Sequence, residues 1–71
     1  MVHAVIALTV NGEPRQFENP LKVDALIQAL ELAGKRIAVE RNGDIVPRSR
    51  FADEWLADGD RVEIVVAVGG G

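Results

Sequence analysis

Cysteine and tyrosine are absent from this 71-residue chain, and histidine and tryptophan occur once each. Without cysteine no disulfide can staple the fold and no thiolate can hold a metal, and the lack of disulfides fits a reducing, cytoplasmic setting. Positive charge is also scarce: 8 Lys and Arg stand against 11 Asp and Glu, for a formal net charge of −3. That balance argues against nucleic acid as a partner, since binding its backbone needs a clustered basic face. Arg41, Arg48 and Arg50 do lie close in sequence, and are read as a solvated loop. Long apolar runs are missing too. The stretch from Ile64 to Val68 is far too short to span a bilayer, and the N-terminus shows no basic segment followed by an apolar signal core, so no membrane association is expected.

Catalytic groupings are missing as well. A chain of this length forms one small domain and cannot enclose a large active-site cavity. His3 falls on the outward stripe of a strand and is expected to be an exposed spectator. Ser49 has no nearby histidine to activate it. Asp53, Glu54, Asp58 and Asp60 are expected to be turn and surface residues, with no acid and base pair and no calcium-loop spacing. The chain is therefore expected not to be an enzyme.

What is present is alternation. The even residues Val2, Ala4, Ile6, Leu8 and Val10 form the period-two stripe of a strand with one buried face, and Asn11-Gly12 supplies a tight hairpin turn. A second strand around Arg15 to Glu18 follows, and Pro14 at its start suits an edge position. From Val23 to Ala33 the residues Val23, Leu26, Ile27, Leu30 and Ala33 are spaced by three and four, which predicts a helix stopped by Gly34. Lys22 stands where a capping side chain is expected, with Asp24 helping through the helix dipole. Residues 37–40 and 44–46 around Asn42-Gly43 predict a second hairpin, closed by Pro47. Between Arg48 and Ala57 the spacing of Phe51, Trp55 and Leu56 predicts a short turn under the sheet, with both aromatics as core plugs. Asp58-Gly59-Asp60 leads into a last strand whose even residues Val62, Ile64, Val66 and Val68 repeat the buried stripe.

Hairpin, helix, hairpin and final strand predict an α+β protein: a mixed sheet of four to five strands with one main helix on one face, in the β-grasp arrangement with first and last strands parallel at the centre. On the face away from the helix, Val5, Ala7, Val65 and Ala67 are expected to form one apolar docking spot. Residues 1–68 are assigned to the domain and 69–71 to a tail. Gly69, Gly70 and Gly71 lack side chains, which suits threading through a narrow slot, and three extended residues reach roughly 10 Å. With no helix after them in this sequence, they are not expected to form a phosphate-binding loop. A free carboxylate is a poor electrophile. Its use for transfer requires a partner that converts it to an acyl-adenylate with ATP, after which sulfur capture gives a thiocarboxylate and lysine capture gives a conjugated protein.

The run Val10-Asn11-Gly12-Glu13, the stretch from Val39 to Arg48, the Asp58-Gly59-Asp60 turn, Val62-Glu63-Ile64-Val65 and the closing Val68-Gly69-Gly70-Gly71 together resemble the ThiS family of thiamine-biosynthesis sulfur carriers. The resemblance spans essentially the whole chain. It implies a ubiquitin-like β-grasp fold, a Gly71 carboxylate adenylated by a ThiF-type enzyme and converted to a thiocarboxylate, and sulfur supplied by a donor such as a cysteine desulfurase relay. It also implies thiazole synthase as the acceptor, ATP used only by the activating enzyme, and no cofactor bound by this chain. Family members commonly carry an aromatic residue where this chain has Ala67. The small subunit of molybdopterin synthase and ubiquitin-like modifiers share the terminal Gly-Gly, and remain alternatives together with a pure interaction domain whose tail is inert.

Overall fold

The computed structural model describes residues 4–67. Strand β1 (Val5–Val10) turns at Asn11-Gly12 into β2 (Glu13–Glu18). A two-residue strand β3 (Leu21–Lys22) leads directly into helix α1 (Val23–Ala29). The second hairpin is β4 (Ile37–Arg41) and β5 (Asp44–Val46). A 3-10 turn (Arg48–Arg50), the short β6 (Trp55–Leu56) and β7 (Arg61–Val66) complete the described chain.

Five strands form a mixed sheet in the order β2-β1-β7-β4-β5, with β1 and β7 parallel at the centre as the sequence predicts. Pro14 sits on the edge strand β2, opposite Thr9, where its missing amide hydrogen costs no ladder bond. Alternation decides the faces. Ile6, Leu8, Val10, Val39, Val62 and Ile64 point to one side and close the core against Val23, Leu26 and Ile27 of the helix, with Leu21, Val46 and Leu56. Among the described residues no helix covers the other face of the sheet.

The helix starts at Val23 as predicted but ends short of Ala33. It stops at Ala29, because Glu31 takes a left-handed backbone with φ 60°. Its amide donates to the Gln28 carbonyl, and that of Leu32 to the Ile27 carbonyl, the paired bonds that close a helix C-terminus. Gly34, also at positive φ, lies beyond this stop. At the other end Lys22 provides no side-chain cap. The loop before β6 replaces it: the Val23 amide donates to the Glu54 carbonyl and the Asp24 amide to the Phe51 carbonyl, each at 3.0 Å.

Four burial expectations are corrected, the first being Ala4, which precedes β1 and is exposed. Trp55 is not a core plug: in β6 it alternates with buried Leu56 and faces outward, 53% exposed, with the Lys22 ammonium 4.6 Å from its ring centroid. Phe51 does pack partly against the core. Val66, the last residue of β7 and opposite Ile37, leaves the buried stripe and is 39% exposed. Asp60, expected on the surface, is only 7% exposed.

Candidate functional site

Strand β7 presents whatever follows it, so its anchoring defines the site. At its start, Asp60 occupies the even, inward position of the strand's own stripe, a parity that the sequence already displayed. Its carboxylate accepts from the Ala57 amide at 2.7 Å, from Asn42 Nδ2 at 2.9 Å and from Arg41 Nε at 2.7 Å. Burial pushes the Asp60 carboxyl up, but the bonds from Ala57, Asn42 and Arg41 outweigh it and hold the group below its ordinary value. The Asp60 bond, with a second to Glu54, raises Arg41 against its own desolvation. Arg50 closes the chain of charges through Glu54 at 3.0 Å. The Arg48 guanidinium donates to the Lys35 carbonyl at 3.4 Å. Arg41, Arg48 and Arg50 therefore do not form one free basic patch.

Further along β7, the Asn11 side chain grips the backbone of Ile64 on both sides, and at the exit the Ala67 amide donates to the Arg36 carbonyl at 2.8 Å. The strand is thus fixed at the residue before it, at its middle and at the residue after it. Gly69, Gly70 and Gly71, the expected tail with its boundary after residue 68, lie outside the described residues, as do Val2 and His3.

The register separates the residues expected to make one docking spot. Val10 of β1 pairs with Val62 of β7 in the parallel ladder. Val65 therefore stands level with the turn beyond β1, while Val5 lies eight strand positions away, roughly 26 Å at ~3.3 Å per residue. All four side chains are on the open face and exposed. Ala7, bonded through its amide to Asp58 Oδ1, stays with Val5 at the far end. Val65 and Ala67 accompany the exit of β7, with Ala38 directly opposite Val65. The single patch is corrected to two separate ends of the sheet. Sequence alternation gave the right face, but the offset of a parallel pair is not visible in alternation.

Among the described residues no group of three His, Cys, Asp or Glu side chains is placed to hold a metal ion. No helix there is long and apolar enough to cross a membrane. A concavity of about 400 Å³ beside Arg41, Arg50 and Glu54 is lined mainly by polar groups and holds no nucleophile with a base.

A five-stranded mixed sheet with parallel central strands and one helix across one face defines a ubiquitin-like β-grasp protein. The family model described as the ThiS family matches residues 8–71, and the chain belongs to that family. The crystal structure of the thiamine biosynthesis protein ThiS from Geobacter metallireducens superposes with a TM-score of 0.78 at 38% identity, covering 93% of this chain and 100% of that one. The sulfur carrier protein ThiS of Bacillus subtilis is 34% identical over 65 residues, which are 90% of this chain and 98% of that protein. A thiazole synthase of Paramagnetospirillum magneticum is 45% identical over 64 residues, and the chain spans only 20% of its length.

Proposed function

We propose that the chain is a sulfur carrier of thiamine biosynthesis that works through the carboxylate of Gly71, with Gly69 and Gly70 threading it into its partners. A ThiF-type enzyme spends ATP to adenylate the carboxylate. A persulfide sulfur from a donor such as a cysteine desulfurase relay then displaces AMP to give an acyl disulfide. A thiol reduces that S–S bond to release the thiocarboxylate, and the thiocarboxylate hands its sulfur to thiazole synthase. The chain itself is no enzyme: it binds no cofactor and presents a substrate, in the cytoplasm. The observation that carries this is the family match running through residue 71, together with a relative named as a sulfur carrier that is covered over 98% of its length. The local similarity to a thiazole synthase supports that enzyme as a partner. Absence of cysteine supports an external sulfur source.

The test is intact mass after incubation with the adenylating enzyme, ATP and a sulfur donor. A gain equal to exchange of one oxygen for sulfur is expected, and it should vanish when Gly71 is deleted while the fold remains intact. Loading of the truncated chain overturns the assignment, and covalent ladders on other proteins would point to a modifier instead.

A further inference from the structure

Along the β4 and β7 rungs, the open face holds a combination unfavourable to the isolated protein. Glu63 of β7 lies directly opposite Glu40 of β4. Like charges in directly opposed positions repel. Among the described residues neither carboxylate has an ion-pair partner. With Asn42, Gly43 and Arg61 they line a shallow concavity of about 190 Å³, whose single cation leaves the cluster with net negative charge. The neighbouring rungs are apolar. Val65 faces Ala38 one inward-outward repeat further on, and Ile45 of β5 faces Glu40 from the other side. Val65 and Ile45 are 63% and 66% exposed. An acidic pair is thus set within an exposed apolar surface, continuous with the exit of β7.

Locally unfavourable choices in a fold that is otherwise self-consistent concentrate at functional surfaces. We propose that this half of the open face docks a protein presenting an arginine, whose guanidinium lies between Glu40 and Glu63 while apolar side chains around it cover Val65, Ala38 and Ile45. A planar fork of five donors can engage two carboxylates together, which a single ammonium does less well. A second copy of this chain is a poor occupant. A two-fold contact on this face would set one Glu40 and Glu63 pair against another, between molecules that each carry a net charge of −3. Resting on the carrier role proposed above, the partner is the adenylating enzyme, and the arginine fixes the register in which the residues after Ala67 reach it.

The experiment measures binding of the adenylating enzyme to the wild-type chain, to a Glu40→Gln and Glu63→Gln double variant, and to Val65→Asp, at low and high salt, with a melting curve for each. The double variant should bind roughly tenfold or more weakly and lose most of the salt dependence. It should melt no lower than wild type, because a repulsion has been removed. Unchanged affinity and salt slope in the double variant, with Val65→Asp still weakened, overturn the arginine contact and leave the carrier role standing. Failure of the wild-type chain to bind removes both. A wild-type dimer that the double variant dissolves would overturn the proposal in favour of self-association.

Discussion

The Asn11 side chain takes the place of a missing strand neighbour for Ile64, accepting from its amide at 2.7 Å and donating to its carbonyl at 3.1 Å, across 53 residues of sequence. Strand β1 ends at Val10, so beyond Val62 no backbone on that side continues the ladder. Asn11 also stands at φ 50°, a conformation that asparagine tolerates better than most residues. The same side chain therefore makes the hairpin and holds the last strand.

Replacing Asn11 with Asp keeps the acceptor and the tolerance of the turn but removes the donor. About 1–2 kcal/mol of stability should be lost, within the range for a polar group deprived of its partner. For a domain of this size that is a fall in melting temperature of roughly 4–8 °C per kcal/mol, read by thermal unfolding. Melting unchanged within error would show that water replaces the bond fully.

Asp60 gives the pH dependence. Its folded carboxyl is held below the ordinary value, so the unfolded chain takes up the proton first as pH falls. The stability it contributes is therefore complete above the unfolded value of ~3.9 and is lost progressively as pH drops below it, through the folded value. Asp60→Asn should cost about 2–3 kcal/mol at neutral pH, since Arg41 keeps Glu54 but loses its nearer partner. The variant should also show a flatter loss of stability below pH 4 in denaturant titrations, on the same ~3.9 reference. An acid limb identical to wild type would mean that other carboxylates carry it.

Most of the architecture was legible because it rests on periods of two and on Asn-Gly turns, both local. The parallel pairing of first and last strands followed from element order. What stayed hidden depends on distance along the chain. Lys22 looks like a poor helix start until the Glu54 and Phe51 carbonyls arrive from the loop before β6. Asp60 looks like a turn residue until Arg41 and Asn42 meet it from β4 and its turn. Trp55 looks like core until a two-residue strand turns it outward, and Val5 and Val65 look like neighbours until the parallel register sets them apart.

Glu31 is a position where the chain tolerates strain. A residue with a Cβ at φ 60° costs roughly 1 kcal/mol, and the bonds closing the helix require that conformation. Glu31→Gly should raise stability by about 0.5 kcal/mol after the added freedom of the unfolded chain is subtracted, visible as a higher melting temperature. A lower one would show that the Glu31 side chain itself contributes to the native state.

The two ends of the open face provide the sharpest contrast. Val5 and Val65 are 54% and 63% exposed, so an aspartate at either should change folding stability by no more than about 0.5 kcal/mol. Only Val65 adjoins the exit of β7. A charge there must be desolvated against an apolar partner surface, or left facing it without a counter-charge. Val65→Asp should therefore weaken binding to the adenylating enzyme and slow sulfur loading, while Val5→Asp leaves both near wild type. Binding measured for the two variants side by side checks this, with equal losses showing that the partner spans the whole sheet and equal retention removing Val65 from the docking surface.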